Sequence, residues 1–128
     1  MQQQTPFSWR KRADSFRYAF AGIRTLFREE HNARIHLVAA VLAILAGVWL
    51  HISAGEWCAV VISICAVISA EAANSAIEAI TDLASPGHHP LAGKAKDCAA
   101  AAVLIMAISA AIVGAIIFVP KIISIFCV

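Results

Sequence analysis

The stretch Ser69-Ala-Glu-Ala-Ala-Asn-Ser-Ala-Ile-Glu-Ala-Ile-Thr-Asp82 decides how this chain is read. It continues an apolar run that begins near Trp57, yet it carries Glu71, Asn74, Glu78 and Asp82 at steps of three, four and four. At ~100° per helical residue those steps place all four side chains on one face of a helix. A carboxylate in hydrocarbon costs at least ~2.5 to 3.5 kcal/mol by insertion scales, so three on one helix imply a cation, a partner or a reacting group at that face.

The surrounding composition makes hydrocarbon the relevant solvent. The 128 residues are 61% hydrophobic and 14% charged, with a mean hydropathy of +0.80, which is too apolar for a soluble domain of this size. A helix needs ~20 apolar residues to span a bilayer, and three segments approach or reach that length: 35–52, 57–80 and 98–119. The chain is therefore expected to be an all-α integral membrane protein, with one domain over residues 1–128. The charged residues before the first span, and the lack of a small-residue cleavage site, distinguish that span from a secretory signal peptide.

Charge is distributed unevenly. Arg10, Lys11, Arg12, Arg17, Arg24, Arg28 and Arg34 precede the first span, Lys94 and Lys96 lie between the second and third, and the turn from Ser53 to Glu56 has no basic residue. The positive-inside rule puts the amino terminus and the 81–97 loop in the cytoplasm, and the short turn and carboxyl terminus outside. A net charge of +2 is too small to indicate a nucleic-acid partner. Cys58, Cys65, Cys98 and Cys127 have neither C-x-x-C spacing nor a histidine arranged for zinc, and are expected to serve packing.

Residues 1–6 are polar and expected to be disordered. From 7 to 28 the pattern is that of an amphipathic surface helix, with Trp9, Phe16, Phe20, Ile23 and Phe27 on one side and Arg10, Arg17, Arg24 and Arg28 at its flank. Such a helix fits the cytoplasmic interface, aromatics toward the acyl chains and arginines near anionic headgroups of the membrane lipids. His51 to Glu56 reads as a connector flanked by the interfacial anchors Trp49 and Trp57. The prolines and glycines of Ser85 to Gly93 read as a loop, and Pro120 with Lys121 as the end of the third span. Gly87 to Ala95 is not a phosphate-binding P-loop: five residues separate its glycines where four are needed, and no Ser or Thr follows Lys94.

Counted at ~1.5 Å per residue from Trp57, Glu71 lies ~21 Å across a core ~30 Å thick, and Glu78 lies near its inner boundary. Glu71 is at a depth where a lipid headgroup can reach it, and Glu78 where a soluble cosubstrate can. Carboxylates at this boundary suit Mg²⁺, which commonly binds one or two carboxylates plus substrate phosphates. Lys96 adds a compact charge suited to phosphate. Together these make an inventory for phosphoryl transfer, with a proton or cation pathway as the non-enzymatic rival. His31, His36 and His51 are expected to be interfacial, and His88 and His89 to be available to a nucleotide.

The run Glu71-Ala-Ala-Asn-Ser-Ala-Ile-Glu78-x-x-x-Asp82, followed by Lys96-Asp97 before an alanine-rich span and preceded by Glu30, resembles the small bacterial membrane lipid kinases, comprising diacylglycerol kinase and undecaprenol kinase. The resemblance covers about residues 7 to 121. It implies a surface helix plus three transmembrane helices in a homotrimer with sites shared between subunits, in the bacterial inner membrane, using ATP and Mg²⁺ to phosphorylate a lipid alcohol. By position, Glu71 resembles the base that takes the lipid hydroxyl proton, and Glu30 and Glu78 the metal ligands. Asn74, Lys96 and Asp97 match other residues of the site. Tyr18, His88 and His89 fall where the family contacts nucleotide, and Lys11 stands where it often has an arginine. The segment from His88 through Lys96-Asp97 to Ile117-Phe-Val-Pro-Lys121 is more similar to the undecaprenol kinase branch. The expected product is undecaprenyl phosphate, with phosphatidic acid, from diacylglycerol, as the alternative.

Overall fold

A computed structural model describes residues 8–126, so the polar residues 1–6, Phe7 and Cys127 lie outside the described residues. The described chain is helical: α1 (Trp9–Glu29), α2 (His31–Trp49), α3 (Ala54–Ala84) and α4 (Pro90–Phe126). The last three are long and apolar enough to cross a membrane. Their large side chains point outward in a way no water-soluble fold tolerates, with Ile116, for example, 68% exposed. Such surfaces belong against lipid or other helices.

The boundaries differ from those expected, each for a local reason. Glu30 has extended backbone (φ −93°, ψ 116°) and turns the chain between α1 and α2, so α2 starts four residues earlier than the apolar run does. Arg34 Nη2 donates to the Arg28 carbonyl at 3.3 Å, satisfying an end of α1 across this corner. At the other end of α2, His51 takes φ 49°, the Ile52 N–H donates to Gly47 O at 3.2 Å, and the His51 N–H donates to Val48 O at 3.3 Å. This is a Schellman termination with histidine at the position glycine usually fills.

Helix α3 begins at Ala54 because Ser53 and Glu56 form a capping box: the Glu56 N–H donates to Ser53 Oγ at 3.3 Å, and the Ser53 N–H to Glu56 Oε2 at 2.7 Å. Helix α4 begins at Pro90, where a missing N–H has no consequence in a first turn. The expected loop therefore shrinks to Ser85–His89, and Gly93 is helical. The helix also runs through Pro120, which was expected to end it. Pro120 leaves the Ile116 carbonyl without its helical donor. Just beyond, Lys121 Nζ pairs with Glu56 Oε1 at 3.3 Å, tying the end of α4 to the start of α3.

Packing relies on small residues. Helix α2 buries Ala33, Ala40 and Gly47, seven residues apart, which brings its backbone close to its neighbours. A Cβ on Gly47 would lie 2.9 Å from Trp57 Cη2 and 3.0 Å from Ile52 Cδ1. Ile52, Val60 and Ile117 close the core at this end, with Trp57 and Phe118 against them. Helix α1 packs on α2 and α3 and buries Leu26, while Trp9, Phe16, Phe20 and Ile23 stay exposed, as an interfacial helix requires. Cys58, Cys65 and Cys98, expected to serve packing, are free and lie on exposed helix faces.

Candidate functional site

The acidic stripe of α3 grades from closed to open. Glu71 is only 2% exposed, Asn74 and Glu78 are half-buried, and Asp82 is exposed. The chain's own α2 encloses the deepest acid of the stripe. Helix α2 does so with an imidazole: His36 Nε2 lies 3.2 Å from Glu71 Oε1. Glu71 Oε1 is thus buried beside an imidazole yet accepts no hydrogen bond.

One turn along α3, Asn74 Nδ2 donates to Glu78 Oε1 at 2.9 Å, and Ser75 Oγ donates to Glu30 Oε1 at 3.0 Å. The second bond carries the corner between α1 and α2 onto the stripe. Glu30 and Glu78 both stand close enough for their charges to repel that of Glu71. The chain thus gathers Glu30, His36, Glu71, Asn74, Ser75 and Glu78 along about two turns of α3. Residue sequence pointed to all but two. Ser75 looks like an ordinary small residue of the span, and His36 like an interfacial one. The signal for His36 is its depth, since it lies five residues into α2 and so at about the level of Glu71.

Other expected site residues lie apart from this cluster. Lys96 Nζ donates to Asp82 Oδ1 at 2.5 Å, one turn beyond Glu78 and at the open end of the stripe. Asp97 is exposed beside it. His89 is engaged locally, its Nδ1 accepting the Leu91 N–H at 3.2 Å where α4 starts, and His88 is exposed. Tyr18 is exposed, with the Arg17 guanidinium 5.6 Å from its ring centre, and Lys11 is exposed about two turns before it on α1.

No group of three or more His, Cys, Asp and Glu among the described residues could hold a metal by itself. The oxygens present nonetheless fit a hard cation that keeps other ligands. Glu30 and Glu78 each have one oxygen engaged by a neutral donor, and Asn74 Oδ1 is a buried acceptor with no donor. Two carboxylates and a neutral oxygen, completed by water and phosphate, make a donor set of the kind Mg²⁺ takes.

A cavity of about 240 Å³ runs between α2, α3 and α4. Its walls are apolar apart from Ser63 and His36, and it includes Ala40, Val67 and Ala111. His36 therefore belongs both to this cavity and to the pair with Glu71.

Comparison with known proteins agrees with this architecture. The sequence profile of the family described as prokaryotic diacylglycerol kinase matches residues 17–118. A diacylglycerol kinase of Synechocystis is 41% identical over 111 residues, covering 86% of this chain and 63% of that protein. An undecaprenol kinase of Bacillus subtilis is 40% identical over 107 residues, covering 84% of this chain and 87% of that protein. A diacylglycerol kinase of Escherichia coli is 38% identical over 95 residues, covering 74% of this chain and 78% of that protein.

Proposed function

Because the chain belongs to the prokaryotic diacylglycerol kinase family, we propose that it phosphorylates a lipid alcohol at the membrane, with ATP as phosphoryl donor and undecaprenol as acceptor. The observation that carries this reading is the closure of Glu71 at lipid depth, with Glu30 and Glu78 beside it and Lys96 at the open end of the same stripe. An alcohol with a hydrocarbon tail can approach Glu71 from the bilayer while a nucleotide approaches Lys96 from water. The long apolar spans and the apolar cavity that ends at His36 support a lipid acceptor. The alignment over 87% of the Bacillus undecaprenol kinase supports undecaprenol in particular. Diacylglycerol is the alternative, favoured by the names of the other two relatives.

In this reading Glu71 accepts the hydroxyl proton as the lipid oxygen attacks the γ-phosphorus in line with the departing ADP oxygen. Lys96 gives up Asp82 for a phosphate oxygen, which its flexible stem permits. Glu30 and Glu78 would hold Mg²⁺, which when bound offsets the charge on the transferring group. Asn74 orients Glu78 through its side-chain amide, and Asp97, Tyr18, Lys11, His88 and His89 border the nucleotide. The basic residues of α1 and of the 85–96 segment support a cytoplasmic position for this end. A homotrimer, with the exposed apolar faces packed on one another, completes the proposal.

The test is an ATP-dependent phosphorylation assay of purified protein in mixed micelles, with undecaprenol and diacylglycerol supplied separately. Turnover several-fold faster with undecaprenol is expected. A clear preference for diacylglycerol would overturn the substrate, and ion flux in vesicles with no phosphorylation of either lipid would overturn the enzyme.

A further inference from the structure

Glu71, as the proposed base, presents a difficulty that its surroundings make acute. Each turnover moves one proton from the lipid hydroxyl to its carboxylate, as the O–P bond forms and the bond to the departing ADP oxygen breaks. The carboxyl is then neutral, and with a side chain only 3% exposed it is almost closed to solvent. The next turnover requires it to be ionised again. Some group has to take the proton out.

From α2, His36 places Nε2 3.2 Å from Glu71 Oε1, and its own side chain is 25% exposed. The other titratable groups acting on Glu71 are acids, Glu30 from the corner between α1 and α2 and Glu78 from α3. Helix α4 brings none, since it faces the cavity beside His36 with Ala107, Ala110, Ala111, Val113, Gly114 and Phe118. Glu71 Oε1 accepts no hydrogen bond, so a lone pair remains open on the side the imidazole occupies. His36 is thus a base in contact with the buried acid on one side and with its outer surroundings on the other.

We propose that His36 is the proton exit of Glu71. After phosphoryl transfer, the carboxyl O–H bond breaks and an Nε2–H bond forms, leaving a carboxylate and an imidazolium. The imidazolium then passes a proton from the exposed part of its ring to water entering from the open end of the stripe, and returns to neutral. Charge and atoms balance, because the proton of the alcohol ends in solvent and His36 is unchanged over the cycle. His36 acts through Glu71 and not on the lipid, which makes it a positioning residue. The inference rests on the proposed role of Glu71 as base.

Full-length protein in undecaprenol micelles tests it through three variants. His36→Gln is expected to lower kcat by ~10-fold or more with the KM for ATP unchanged, and to alter the pH–rate profile, because an amide cannot carry the proton. His36→Ala is expected to regain turnover in proportion to added imidazole, a rescue that a packing role does not give. A His36→Gln enzyme with wild-type kcat and pH profile would overturn the proposal, as would folded His36→Ala that imidazole fails to rescue. If neither variant folds, histidine NMR of the wild type and of Glu71→Gln decides. A shifted His36 titration in Glu71→Gln supports coupling of the two groups, and an identical titration refutes it. Retained turnover in Glu71→Gln would instead remove the base itself, while an inactive Glu71→Gln beside an unaffected His36→Gln would remove only the exit.

Discussion

Replacing Glu71 by glutamine should make the protein more stable and nearly inactive at once. The substitution keeps the shape of a side chain that is 2% exposed, so packing is retained. It removes a charge whose Oε1 has no hydrogen-bond donor. A buried acceptor left in that state costs ~1–3 kcal/mol and more when charged, and the amide, which keeps an oxygen there, recovers the part due to charge. Repulsion from Glu30 and Glu78 adds to the cost of the native carboxylate. Against this stands the His36 pair, at 3.2 Å with His36 25% and Glu71 3% exposed; an imidazole can shed its proton when its partner is lost, so no buried charge is stranded and the loss is about 1 kcal/mol. The difference is a net gain of up to about 1 kcal/mol for the glutamine. Activity should fall by ~10² or more, the usual contribution of a positioned general base. The two readouts are denaturant unfolding in micelles, followed by circular dichroism, and lipid phosphorylation on the same preparation. A variant with near-normal turnover would refute the base, and one clearly less stable than wild type would show that the carboxylate is better satisfied than its contacts imply. The combination of stability gained and function lost is that of an active-site strain residue.

Glu30→Gln and Glu78→Gln should each raise the Mg²⁺ concentration needed for half-maximal activity, since each removes one charge from a shared ion. An unchanged Mg²⁺ requirement in both would show that they are not its ligands. Gly47→Ala should destabilise by ~1–2 kcal/mol, because a Cβ 2.9 Å from Trp57 forces a shift that outweighs alanine's helical advantage. Unfolding midpoints compared with Gly22→Ala, where nothing lies within 4 Å and a gain is expected, provide the check. If subunits share sites, mixing inactive Glu71→Gln chains with inactive Lys96→Ala chains should restore part of the activity. No recovery in verified mixed oligomers would show that each chain holds a whole site.

The parts of this architecture governed by repeat along one helix were legible in the sequence. The stripe of Glu71, Asn74, Glu78 and Asp82 needs only the helical period, and the amphipathic α1 only the spacing of its aromatics. Features governed by how one helix rotates against another were not. Nothing in the order of residues says that His36, and not His31, turns toward α3, or that Ser75 reaches across to Glu30. Helix ends fall between these cases. Ser53-Ala-Gly-Glu56 carries the capping-box spacing openly, and a reading of the turn as a mere connector passes over it. Pro90 and Pro120 are the same residue type with different effects on a prediction, because proline is harmless in a first turn and tolerated near a helix end.

Helices α3 and α4, with 31 and 37 residues, are ~46 and ~55 Å long at 1.5 Å per residue, against a hydrocarbon core of ~30 Å. Both overshoot the bilayer, and Lys96 with Asp82 sits on the overshoot, while Glu71 remains within the slab. In the proposed reaction the two substrates would then be counted in different units. One arrives from a volume and is measured in molarity, and the other arrives within a sheet and is measured as a mole fraction of that sheet. Adding inert detergent at fixed total lipid would dilute the second without touching the first. The enzyme's rate would then follow the composition of its membrane as directly as the supply of nucleotide.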